Sequence, residues 1–125
     1  MSVSPQYMSW MGCAAISTTE VFLPQSGWQP AANLTAARGF GELRGKTGNF
    51  QAKPAVQVAN DVRAPGAATA VGSALAADGV SDPNGATAVS SGSAKYVRAG
   101  WLVSLTTGAV LANGTLAGVV ELIYG

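Results

Sequence analysis

The chain has 125 residues, 48% of them hydrophobic and only 10% charged, with a formal net charge of +1. That length suits one domain with a two-layer core. A charged fraction so far below the roughly 25% usual in soluble domains leaves a surface that does little to hold copies apart, which favours a protein that lives in an assembly. The seven cations are scattered among acids, which argues against a phosphate-reading face for nucleic acid. The absence of histidine removes the commonest general base and nitrogen metal ligand, and a single cysteine, Cys13, excludes an internal disulfide framework.

Residues 1–12 are apolar without periodicity, with Val3, Tyr7, Met8, Trp10 and Met11 standing among Ser, Pro and Gln. They predict an extended N-terminal arm ahead of a β domain at 13–125, either folded back on that domain or laid across a neighbour. Met and aromatic residues are typical of contact surfaces, so Tyr7, Met8, Trp10 and Met11 are candidate subunit contacts. No basic opening precedes an apolar run, so no secretory signal is expected. No apolar run approaches the ~18 residues of a membrane-spanning helix.

Cys13–Leu23 is rich in β-branched residues and stops at Pro24, which predicts a first strand. Asn33–Arg44 predicts a second, with Leu34, Ala36 and Phe40 sharing a parity that Arg38 and Glu42 interrupt. Gly45-Lys-Thr-Gly48 is a turn. Asn49–Ala59 alternates cleanly, with Phe50, Ala52, Pro54, Val56 and Val58 on one face. Pro54 cannot donate to a ladder, so an edge position or a bulge is expected there. Residues 60–93 are irregular, with Val71–Ala77 as a short helix or strand.

Lys95–Thr106 is the clearest strand. Val97, Ala99, Trp101, Val103 and Leu105 fall on one parity and should form the centre of the core. Tyr96, Arg98 and Leu102 fall on the other and are further candidate contacts, since Tyr and Arg are enriched at interfaces. Asn113-Gly114 between two apolar runs predicts a type I′ hairpin turn, and Leu116–Tyr124 a final strand. Together these predict an all-β fold: an antiparallel β-sandwich, jelly-roll-like, or a small barrel of five to eight short strands.

The chemistry-bearing groups are sparse. Without histidine, no hydroxyl has the usual adjacent base. Of the acids, Glu20, Glu42 and Glu121 lie in expected strands, where ion pairs with the cations account for them more simply than glycosidase chemistry. Asp78, Asp82 and Asn84 sit in a Gly-containing loop that suits calcium only loosely, and a turn with Asx side chains bonding their own backbone is the simpler reading. No catalytic residue, metal or cofactor is expected, and the chain reads as a non-enzyme. Among Trp10, Trp28, Trp101, Tyr7, Tyr96 and Tyr124, Trp28, in a loop, is the best exposed candidate for a carbohydrate platform, the alternative being a sugar-binding module of a secreted or cell-surface protein.

The Ala/Gly/Val/Thr-rich body, the few charges, the apolar arm, the many short strands and the run Pro54-Ala-Val-Gln-Val-Ala-Asn-Asp-Val-Arg63 followed by Ala-Pro-Gly-Ala together resemble small structural proteins of tailed bacteriophages, of the head-decoration or tail-component type. The resemblance implies a virion subunit that stabilises a particle by binding other virion proteins and copies of itself as a homo-oligomer; the scattered charges and the lack of a long apolar run lead to the expectation of no nucleic acid and no membrane as partner. It maps no functional residue, because no defining motif carries it.

Overall fold

The computed structural model describes residues 2–15, 20–81, 85–89, 92, 94–105 and 111–125, and the backbone alone at 11–15, 105, 111 and 112. Every regular element among them is a strand: β1 (Ser2–Ala15), β2 (Val21–Pro24), β3 (Gln29–Pro30), β4 (Leu34–Thr47), β5 (Phe50–Ala59), β6 (Ala68–Ala70), β7 (Gly79–Ser81), β8 (Thr87–Ala88), β9 (Tyr96–Leu105) and β10 (Leu111–Tyr124). They form two five-stranded sheets. Sheet A runs β1-β10-β4-β7 with β8 also on β4, and sheet B runs β2-β9-β5-β6 with β3 also on β9. All pairings are antiparallel.

Setting aside the two-residue β3 and β8, the pairs nest: β1 with β10, β2 with β9, β4 with β7, β5 with β6. The first strand meets the last, the second the next to last, and so inward. A long hairpin of four such pairs wrapped on itself is a jelly roll, the double-sheet form the sequence predicts.

The core lies between the sheets. Val97, Ala99, Trp101 and Val103 of β9 are all buried, as their alternation requires. Facing them are Leu43 of β4, Leu116, Val120 and Leu122 of β10, and Met8 of β1. Trp101 decides the shape of the opposite sheet. A Cβ on Gly41 would stand 2.9 Å from its ring and one on Gly39 would stand 2.4 Å from the Pro54 side chain. Gly39 and Gly41 are therefore core-facing positions of β4, where ring atoms take the space of side chains. This corrects the expected parity. An extra residue, Thr35, lies between Leu34↔Tyr124 and Ala36↔Ile123, and past that bulge the inward set is Ala37, Gly39, Gly41 and Leu43.

Three further expectations change. Asn113-Gly114 makes no hairpin. β10 runs through it, paired with β1 at Cys13↔Asn113 and with β4 at Thr47↔Asn113, and the register to β4 slips by one residue. Neither residue has the positive φ of a type I′ turn; the bulge is on the partner strand, where Gly45 (φ 63°) and Lys46 of β4 stand opposite Gly114 alone. Pro54 is one strand in from the edge. Its carbonyl accepts from Val71 N–H at 2.8 Å on the side away from β9, so its missing N–H also points away from the inner ladder. Val71–Ala77 is neither helix nor named strand: Val71 N–H bonds β5 while its carbonyl accepts from Gly39 N–H of β4 at 2.9 Å, and Leu75 bridges Ala52. This segment sews the two sheets together along one side. On the other, the Tyr124 hydroxyl donates to the Pro30 carbonyl at 2.8 Å, tying β10 to β3, and burial pushes its pKa up.

Residues 2–12 are extended, but they do not leave the domain. They are the first part of β1, in unbroken register with β10 from Ser2↔Tyr124 to Ala15↔Leu111.

Candidate assembly surface

The two outer faces of the sandwich differ. On sheet A the outward residues follow from register. Tyr7, Val119 and Phe40 lie directly across from one another on β1, β10 and β4, and Val3, Ile123 and Ala36 make a parallel row. Val80 of β7, opposite Glu42, continues the apolar area. Tyr7 is 78% exposed, Val80 63% and Val3 49%, the three highest values among the large hydrophobic residues described. Phe40, Val80, Ala117 and Val119, with Glu42, line a shallow depression of about 270 Å³.

The charges of this face neutralise one another. Arg38 and Glu121, opposite each other across β4 and β10, pair at 2.8 Å, and the Arg38 guanidinium lies 5.3 Å from the Phe40 ring centre. Glu42 pairs with Arg44. The result is an apolar, self-neutralised sheet face. Contiguous exposed apolar areas are uncommon on monomeric proteins, which makes this face the candidate surface.

The outer face of sheet B is covered by its own chain. The Arg98 guanidinium stacks 4.3 Å from the Trp28 ring and 5.7 Å from that of Phe22, and its Nε donates to the Gln57 side chain at 2.9 Å. Burial lowers the Arg98 pKa. Phe22 stands over Gly100, and Gln57 donates in turn to the Gly66 carbonyl at 2.9 Å. Trp28 thus has one ring face occupied by Arg98 rather than open to a sugar.

The residues expected to make contacts are divided by this architecture. Tyr7 is in the sheet A surface. Met8, its neighbour, points the other way and is 2% exposed, so it is a core residue and not a surface contact. Trp10 shares Met8's parity and packs partly buried against the core. Met11 lies in β1, its side chain outside the described set. Tyr96, Arg98 and Leu102 are on the outer face of sheet B, across the sandwich from Tyr7: Tyr96 is exposed, while Arg98 and Leu102 are half-buried, Leu102 opposite Phe22. Phe40, Val80, Val119 and Ile123 were not singled out from sequence. The signal was present in β10, where Leu116, Val120 and Leu122 are apolar on one parity and Val119 and Ile123 on the other. A strand apolar on both faces requires cover on both.

Asp78 caps a turn. Its carboxylate accepts the backbone N–H groups of Lys46 and Gly45, each at 3.0 Å, and these bonds hold its pKa below the usual carboxylate range. Asp82 and Asn84 lie outside the described residues. Among those described, no three acids, cysteines or histidines gather as a metal site would need. Glu20 pairs with Lys53 at 3.5 Å, so the three strand acids each face a cation.

No protein-family model matches the chain, and no curated protein sequence does. Among solved structures, a chain of infectious bursal disease virus, Gx strain, is similar with a TM-score of 0.56 over 98% of this chain, at 8% sequence identity. This chain spans 34% of the length of that one. At such identity the likeness is one of fold: the two-sheet arrangement described above occurs within a protein of a virus structure.

Proposed function

We propose that this chain is a structural subunit of a viral particle, a non-enzymatic decoration or stabilisation protein of the kind found on tailed-bacteriophage heads or tails. It binds other virion proteins and copies of itself by burying the outer face of sheet A. The observation that carries this reading is the exposed apolar row Tyr7–Val119–Phe40 with Val80 beside it, on a chain with few charges. The fold likeness to a chain of a virus structure supports it. Jelly rolls also serve lectins and other proteins, so the fold does not assign the role, and the surface has to. Buried apolar area contributes roughly 25 cal/mol per Å² before ordering costs, enough for a face of this kind to hold a subunit in place.

The test is composition of the particle. Mass spectrometry of gradient-purified particles is expected to find the chain at a fixed copy number. Val80→Asp, which places a charge in the apolar area without touching the core, should lower that number at least tenfold in particles assembled with it, while the purified chain keeps its circular dichroism spectrum. Absence of the wild-type chain from purified particles overturns the reading.

A further inference from the structure

We infer that β1 is a self-pairing edge: two copies of this chain join antiparallel along β1, about a two-fold axis, so that their two sheets A become one continuous sheet. This rests on the assembly reading above and names the partner as a second copy of the chain.

The sandwich has four sheet edges, and they are treated differently. On the β6–β7 side both sheets are closed by residues 68–81 and 85–89, which bond β5 at Ala55–Gln57, Pro54 and Ala52 and bond β4 at residues 35–37, 39 and 41–43. The remaining edge of sheet B is two short pieces, β2 of four residues and β3 of two, each ending in proline. The remaining edge of sheet A is β1, with 14 residues and no charged side chain. It pairs with β10 on one side, and among the described residues no strand pairs with its other side.

Proteins that stay monomeric blunt such edges with lysine, bulges, proline or brevity. β1 is long, uncharged and free of register shifts. Its one blunting device is Pro5. Proline is tolerated in an edge strand when the side that lacks N–H faces out. N–H and C=O of one residue point to the same side and alternate along the strand. The parity of Pro5 therefore aims outward, and Tyr7, Ser9, Met11 and Cys13 offer an uninterrupted row of donors and acceptors past it.

A second copy fits this row better than any other occupant. An antiparallel copy matches it in length by symmetry. With no charge on the strand, none has to be desolvated or opposed. The two-fold axis, falling between Tyr7 and Cys13, also brings the two outer faces of sheet A side by side as one continuous apolar face. Such isologous two-fold contacts are the commonest way for identical chains to associate.

Sedimentation of the full chain over a concentration series tests this, with hydrogen exchange read at the same concentrations. The wild type is expected to dimerise, with the Tyr7, Ser9 and Met11 amides gaining protection as dimer forms. Ser9→Pro removes one outward donor from each copy, hence two intermolecular bonds, and should raise the dissociation constant on the order of 10–100-fold. Ser9→Lys alters only an exposed side chain and sets like charges near the axis. It should weaken the dimer in a way that salt relieves, and it serves if Ser9→Pro fails to fold. A chain monomeric at every concentration, or a dimer that neither folded variant weakens, overturns the pairing. A monomer that still enters particles would remove the β1 pairing and leave the virion reading; a β1 dimer absent from particles would do the reverse.

Discussion

The outer faces of sheet B and sheet A both carry aromatic groups, but put them to opposite ends. On sheet B, Trp28 and Phe22 flank the Arg98 guanidinium, and Gln57 and the Gly66 loop complete a lid made from the chain itself. On sheet A, Tyr7 and Val80 stand in the open, and Phe40 and Val119 form the floor between them. A jelly roll needs only the layer between its sheets to fold. What covers the outside is a separate choice, and here one face is finished internally while the other stays exposed.

The layer between the faces should give the largest effect. Trp101→Ala empties the centre of the core, and a loss of about 3–5 kcal/mol is expected in urea unfolding. A loss below about 1 kcal/mol would mean that the two sheets do not close on Trp101. Gly39→Ala comes next. Its Cβ would stand 2.4 Å from the Pro54 side chain, and overpacking of this kind costs about 1–3 kcal/mol. Retained stability would show that the sheets can separate locally.

The faces themselves are compared by a matched pair. Phe22→Ala strips the sheet B lid and should lower stability by about 1–2 kcal/mol, as a half-buried ring does, with no change in self-association. Tyr7→Ser strips the sheet A row. It should change stability by less than about 0.5 kcal/mol, as exposed positions do, and weaken association measured by light scattering. If both variants act on stability alone, the two faces are equivalent and the comparison fails.

Much of this fold was legible. The alternation of β9 and β5 placed the core, because one-sided burial leaves a period of two in the sequence. The C-terminal strand was legible as an apolar run with β-branched residues rather than by alternation. β4 was not, because its inward positions are glycines, and a pattern of side chains cannot report a place where side chains are missing. Asn113-Gly114 misled because a permissive pair only allows a turn; pairing with the strands on either side decides, and here β10 runs straight through it while the bulge falls on β4. The assembly surface was half legible. Tyr7 stood out, but Met8 beside it points inward, and an apolar stretch without visible period hid an alternating strand. Val119 and Phe40 become neighbours only through the β10–β4 register, which no local pattern encodes. That register also recasts the N-terminal segment: removing it would take Met8 from the core and bare one whole side of β10.

The smallest expected effect sits at the rim, where Asp78 touches neither face. Its carboxylate holds the Gly45 and Lys46 N–H groups at the end of β4, 32–33 residues away in the chain. These bonds favour the charged form and lower its pKa in the folded state. A depressed carboxylate contributes stability above its unfolded pKa of about 3.9, and that contribution is lost as pH falls through the lower folded value. Asp61 is also depressed, but by Arg63 two residues away, a contact that a disordered chain can keep in part. Asp78→Ala should therefore be less stable than wild type at pH 7, with the gap closing as the pH drops below about 4. Asp61→Ala should show a smaller, flatter difference. A gap for Asp78→Ala that persists unchanged to pH 2 would assign its effect to turn shape rather than to the carboxylate. Any association through sheet A should be untouched in both variants, which separates the rim that shapes the sandwich from the face proposed for contact.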